Sequence, residues 1–183
     1  MKLIKFICLI AYYGFAYYLP NSYSFGIIGR SSNVIRVFLC KRIFKKAGNI
    51  TTINRCAYFG SGKDIEIGDY SGIGANAEIP SNCKIGKYVM MAPNCRILNM
   101  NHVFSDTTKP MCFQGYTEYH PTVIEDDVWI ARDVLILPGR HIRKGSIIAA
   151  GCVLCKDFPE FSIIGGNPSR LIKSRRQEDI VME

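Results

Sequence analysis

A chain of 183 residues is long enough for one domain with a real core and too short for two comfortable ones. Its apolar content of 48 %, with 16 glycines and 8 prolines, excludes a disordered or collagen-like chain. The formal charge of +8 favours acidic partners; no basic and aromatic interleaving, zinc-finger spacing or helix-turn-helix pattern is present, so nucleic acid is not the expected partner.

The chain opens with KLIKFICLIAYYGFAYYL over residues 2–19, an apolar, aromatic-rich segment. It lacks a small-residue cleavage site, and Lys5 and Gly14 interrupt it, which makes it marginal for spanning a bilayer. With Lys41, Arg42, Lys45 and Lys46 downstream, residues 1–46 suit either of two roles: an amphipathic contact with an anionic membrane surface, or a helix packed against the end of the main domain.

From residue 47 a different rule takes over. Residues 47–66 alternate loosely and are expected to form a first, irregular coil. Counting in sixes from Ile67 then gives Ile67, Ile73, Ile79, Ile85, Met91 and Ile97, and a second block gives Ile124, Ile130, Ile136, Ile142, Ile148 and Leu154. Gly or Ala often follows the anchor (Gly68, Gly74, Gly86, Ala92, Ala131, Ala149), and a small or β-branched residue falls four places after it (Ser71, Ala77, Cys83, Val89, Cys95, Val128, Val134, Ser146, Cys152). A period of six fits neither a helix nor a hairpin meander. It fits a chain that turns a corner every six residues, with the aliphatic anchor stacked inside a prism and three hexads closing one triangular coil. Between the blocks, residues 98–123 break the count and are rich in polar and turn-forming residues, as expected of a functional loop on a rigid scaffold. The domain is taken as 47–173, with a basic tail over 174–183.

The eight cysteines (Cys8, Cys40, Cys56, Cys83, Cys95, Cys112, Cys152, Cys155) are scattered through a chain with other means of building a core, so no disulfide framework is expected. Cys152 and Cys155 form a C-x-x-C, but Cys152 falls at a small inward place of the repeat and reads as filler.

The hexads, the excursion and the string VIEDDVWIARDVLILPGRHIRKGSIIAAGCVLCKDFPEFSIIGGNPSRLIK (residues 123–173) resemble the hexapeptide-repeat acetyltransferases. The similarity covers residues from about 55 to 173 and is greatest to the maltose and galactoside O-acetyltransferase group and its relatives in surface-polysaccharide synthesis. The resemblance implies an all-β fold, a left-handed parallel β-helix preceded by a helical segment and interrupted by an active-site loop; this hand is an exception to the usual right-handed crossover. It also implies a homotrimer with active sites in clefts between subunits, acetyl-CoA as co-substrate and a carbohydrate hydroxyl as acceptor. A chain that uses acetyl-CoA is expected in the cytoplasm, either free or at the inner face of the membrane. The first fifty residues depart from the group's acceptor-binding segment and leave the acceptor open.

A hydroxyl attacks a thioester only as its proton is removed, and His102, in Asn99-Met100-Asn101-His102, stands where the family places its general base. His120 and His141 are not expected to be catalytic. The three histidines lie 18 and 21 residues apart without an H-x-x-x-x-H pair, unlike the gamma carbonic anhydrases on this scaffold, so no metal is expected. The oxyanion donor is expected to be a corner amide, Ala131 or Arg132. By resemblance Trp129 lines the pantetheine channel, and Ala150, Cys155, Lys156, Arg170 and Lys173 contact the cofactor, the basic ones through its phosphates. Asn76, Asn101 and Asp106 are candidates for the acceptor, Asp106 also for orienting His102; asparagines at corners are equally turn residues. The alternatives are N-acylation of an amino sugar or acetylation of an antibiotic on the same scaffold, and a non-enzymatic β-helix module, which would need neither the loop histidine nor the basic tail.

Overall fold

The structure, a computed structural model, describes residues 2–176. Two-residue strands six places apart wind the chain into a triangular prism. Its first face carries Lys46–Ala47, Glu66–Ile67, Lys84–Ile85, Val123–Ile124 and His141–Ile142, each paired in parallel with the next. The second carries Thr52–Ile53, Gly72–Ile73, Met90–Met91, Trp129–Ile130, Ile147–Ile148 and Ser162–Gly165. The third stacks Arg96–Ile97, Leu135–Ile136 and Val153–Leu154, extended toward the N-terminus by the bridges Tyr58 to Glu78 and Glu78 to Arg96. The fold is the expected left-handed parallel β-helix, with about 6 turns. Partners on adjacent regular coils are 18 residues apart (Glu66 and Lys84), but 20 apart across the irregular first coil (Lys46 and Glu66) and 39 across the excursion (Lys84 and Val123).

All twelve anchors are buried, from Ile73, Ile130, Ile136 and Ile148 at 0 % exposure to Met91 at 8 %. The nine small residues four places on are buried with them, Cys152 among them. Each anchor contributes about 1.5–3 kcal/mol by its removal from water. The glycine after an anchor is set by coil spacing: a Cβ on Gly68 would lie 2.7 Å from the backbone of Gly86 one coil away. At the corner between the second and third faces, Asn76, Asn94 and Asp133 stack in left-handed backbone (φ 54, 63 and 59), which these short polar side chains tolerate. Asn76 donates to Asn94 (3.1 Å) and Asn94 to Asp133 (2.6 Å), so the corner carries its own side-chain ladder.

An open solenoid end leaves strand edges unpaired, and the N-terminal segment closes this one. Helix α1 (Lys2–Gly14) packs on α2 (Ile27–Ile43), and both lie against the first coil. Asn33 donates to Thr51 O and accepts from Ile53 N, while buried Arg36 donates to the carbonyls of Ile53, Leu19 and Pro20. Tyr12 donates to Ala57 O and Tyr13 to Gly60 O; Tyr12, Phe44 and Phe59 form an aromatic plug beneath the isoleucine columns. Of the two roles open for residues 1–46, packing against the end of the domain is therefore realised. Among the described residues no helix is long and apolar enough to cross a membrane.

At the other end Ser162–Gly165 pairs antiparallel with Arg170–Ser174. Arg175 follows in place, its amide donating to Phe161 O and its guanidinium reaching Gly145 O and Asp127, while Arg176 pairs with Glu160. These two arginines, at the start of the basic tail, are tied to the prism.

Candidate active site

The excursion leaves the prism at the corner between the third and first faces and folds back on itself as an arm. Val103 N donates to Gly115 O, Thr117 N to Asn101 O, and Asn101 N to the Thr117 hydroxyl. His102 bridges Tyr116 across this short hairpin, their rings 4.4 Å apart. The imidazole is exposed and free to meet a hydroxyl. Tyr116 was missed by sequence reasoning; counting in sixes carries no signal for a pairing between residues 14 apart inside the arm.

Asp106 does not reach His102. Its carboxylate accepts from the Thr108 hydroxyl (2.6 Å) and amide (3.0 Å) and pairs with Lys109 (3.3 Å), and these contacts hold its carboxyl below the ordinary range. It shapes the arm's tip, where Gln114 binds the backbone at Asp106 and Lys109. His120 packs against Gly139 and lies 3.8 Å from Glu118. His141 is tied at 2.6 Å to Glu125; burial raises the Glu125 carboxyl, but hydrogen bonds from Lys144 N, His141 and Arg143 outweigh it and bring the net shift below the ordinary range. Among the described residues no cluster suited to a metal ion is found.

The cofactor candidates gather elsewhere. Trp129 stands outward on the second face, 46 % exposed, in one row with Met90, Ile147, Ile163 and Lys173. Three strand spacings separate Trp129 from Lys173, roughly 14 Å. Beside this row, at the corner between the second and third faces, Ala131, Ala149 and Gly165 follow the anchors of three successive turns, with exposed Ala150 and Gly151 next to them. A column of such small side chains leaves a track that an extended molecule can follow. At its C-terminal end stand Arg170 and Lys173, with Lys156 across the third face; among the described residues none of the three makes an ion pair. Toward the N-terminus the same corner opens into a groove of about 570 Å³ lined by Asn76, Asn94, Arg96, Asp133, Val134 and Leu135.

Of the two oxyanion candidates one is occupied. Ala131 N donates to Ile148 O at 2.9 Å as part of coil pairing, whereas Arg132 N, one place further round the corner, donates to no group among the described residues. Cys155 turns its thiol to Ser169 Oγ (3.2 Å), and its amide donates to the same oxygen (3.1 Å). These bonds lower the thiol from its ordinary range, while burial pushes Cys95 up to about 12. Ser169, also missed, is buried and lies outside the hexad pattern.

One chain thus places His102 on one corner of the prism and the small-residue track on another, with the third face between them.

Residues 64–99 match the family model described as bacterial transferase hexapeptide (six repeats). The chain is 31 % identical over 148 residues to the galactoside O-acetyltransferase of Lactococcus lactis, a match covering 77 % of this chain and 68 % of that one. The Escherichia coli enzyme of the same name is 29 % identical over 146 residues, covering 79 % and 70 %. Among solved structures, a hexapeptide-repeat acetyltransferase from Vibrio cholerae complexed with acetyl-CoA superposes with a TM-score of 0.67 at 28 % identity, over 79 % of this chain and 78 % of that one. The chain spans 44 to 62 % of the length of several other curated relatives it matches. The hexads, the coil geometry and the match to the Lactococcus lactis enzyme place this chain in the hexapeptide-repeat transferase family.

Proposed function

We propose that the protein transfers an acetyl group from acetyl-CoA to a hydroxyl of a carbohydrate acceptor in surface-polysaccharide synthesis, as a homotrimer, on the cytoplasmic side. The observation that carries the reading is the corner track, which begins near Trp129 and ends at basic side chains that make no ion pair among the described residues, a shape and charge suited to a pantetheine arm ending in phosphates. In this reading Arg170, Lys173 and Lys156 hold phosphates, Ala150 and Cys155 flank the track, and Trp129 covers the thioester end. Asn76, Asn101 and Asp106 are the acceptor candidates, Asn76 lying in the groove that continues the track.

His102 takes the proton of the acceptor hydroxyl as its oxygen attacks the acetyl carbonyl. Arg132 N, the amide left unused, donates to the oxygen that gains charge. The carbon–sulfur bond then breaks and the imidazolium returns the proton to the departing thiolate, so an ester and a free thiol result.

Because His102 and the track lie on different corners, a second copy must supply one of them. The arm's exposed Phe104, Met111, Phe113 and Tyr116 fit a contact outside their own prism. Sedimentation equilibrium should give three times the chain mass, and an active monomer would overturn the shared site. The reaction itself is tested by incubating the protein with acetyl-CoA and a panel of sugars, following thiol release and product mass. An added acetyl group on a sugar hydroxyl is expected; acetylation only of amines or of an antibiotic would overturn the O-acetyl reading.

A further inference from the structure

The helical cap has its polarity reversed. The residues that α1 buries are Cys8 and Tyr12, followed by Ala16 in the next turn, while its solvent side shows Leu3, Ile4, Phe6, Ile7 and Ile10, all more than half exposed. The solvent side of α2 behaves alike: Ile27, Ile28, Val34 and Phe38 are open, and the residues it buries are Gly29, Ser32, Arg36, Cys40 and Ile43. Exposed Phe15, Tyr18, Tyr23 and Phe25 flank the connection between the helices. Contiguous apolar surface of this extent marks a docking site, not scattered exposure.

Charge identifies the partner. The first 63 residues contain ten basic side chains and no acidic one; the remaining 120 carry thirteen basic against all fifteen acidic residues. The net charges are therefore +10 and −2, and the helical cap and the first coil beneath it carry the whole excess. Arg30, Lys41 and Arg42 are exposed on α2 beside its apolar row, with the Arg42 guanidinium 3.5 Å over the Phe38 ring. An apolar face ringed by cations and aromatics matches the boundary between anionic headgroups and acyl chains. At 13 residues α1 is about 20 Å long, which suits lying in that boundary and not crossing it.

We infer that the outer faces of α1 and α2 dock the protein peripherally on an anionic phospholipid bilayer. The buried faces of both helices are fixed to the first coil, so docking holds the prism by its N-terminal end. The basic end of the track, Arg170 and Lys173, then faces away from the membrane, and the groove at Asn76 and the base of the arm lie nearer to it. An acceptor carried on a membrane anchor meets the site from the lipid side, and a soluble nucleotide-bearing cofactor from the other. The docking stands independently of the acetyl-transfer reading.

The test is flotation of the purified full chain with vesicles of phosphatidylcholine alone and with vesicles in which part of it is replaced by phosphatidylglycerol. Binding to the anionic vesicles is expected, weakening as salt is raised. Ile7→Ser with Ile10→Ser should lower the partition coefficient roughly tenfold or more. Arg30→Glu with Lys41→Glu should abolish the preference for anionic lipid. Circular dichroism and sedimentation should be unchanged in both variants, since all four side chains are exposed and none is bonded among the described residues. Equal binding to both vesicle types, or to neither, overturns the inference. So does self-association that the serine variants abolish while vesicles go unbound, because the occupant would then be a second copy.

Discussion

The prism and the arm spend their apolar residues in opposite ways. In the prism every aliphatic anchor faces inward, and the amides of each coil donate to carbonyls of the next, so side chain and backbone are satisfied by the same repeat. The arm over residues 98–122 buries only Thr122, and its large side chains Phe104, Met111, Phe113 and Tyr116 stand open. It is held together by a few bonds across its own hairpin and by Tyr119, whose hydroxyl donates to Asn82. Stability is thus stored in the inward rows of the prism, and the proposed base is carried by a segment that adds almost nothing to that core.

His102→Ala is the largest expected break in activity. It should lower kcat by roughly 10²–10⁴, the usual worth of a positioned general base, while acetyl-CoA still binds. The melting temperature should barely move, because the ring is exposed and packs on the exposed Tyr116 rather than in the core. Near-normal turnover with the true acceptor would remove His102 from the mechanism.

The converse substitution belongs in the prism. Ile148 is fully buried between Ile130 and Ile164 in the inward row, so Ile148→Ala should destabilise the fold by about 2–5 kcal/mol in denaturant titration. A cost as small as that of a surface change would mean that the columns do not carry the stability.

The same contrast explains what the sequence discloses. Each hexad repeats one local rule, an apolar anchor every sixth residue, often with a small residue beside it, and twelve such anchors can be read without knowing what touches what. The two features that define the site are not local. Whether Ala131 or Arg132 has a free amide depends on Ile148, a coil away, and the conformation of His102 depends on Tyr116. The sequence also offers Asp106 as a group to orient His102, but the turn at Thr108 and Lys109 takes its carboxylate. The end cap is a third case. Asn33, Arg36 and Tyr12 satisfy the first coil through contacts 17 to 45 residues apart, so the sequence left packing and membrane contact open; packing takes the inner sides of the helices, and the proposed docking would use their outer sides.

A smaller effect is expected at the far end of the track. Lys156→Ala with Arg170→Ala should raise KM for acetyl-CoA about tenfold and affect kcat less, since the phosphates lie far from the reacting carbonyl. A cofactor analogue lacking the nucleotide should lose this sensitivity. If steady-state kinetics show an unchanged KM, these side chains are only solvated charges.

The smallest expected effect sharpens the comparison within the prism itself, between Cys155 at its surface and Cys83, Cys95 and Cys152 inside. Burial raises the three inner thiols, Cys95 to about 12, so they should resist alkylation until the protein unfolds. Cys155 is half-buried, and its hydrogen bonds with Ser169 favour the thiolate. A lowered thiol pKa means that the reactive thiolate persists to lower pH, so the rate of iodoacetamide labelling at Cys155, mapped by peptide mass spectrometry, should begin to rise at lower pH than for a free cysteine peptide. Ser169→Ala removes the hydroxyl and should shift that profile back upward. Acetyl-CoA should slow labelling if Cys155 flanks the track as proposed. Labelling of Cys155 with the profile of a free cysteine, unaltered by Ser169→Ala, would show that the Ser169 contact does not hold in solution; unaltered labelling under saturating acetyl-CoA would show that the bound cofactor does not reach Cys155 at the edge of the third face.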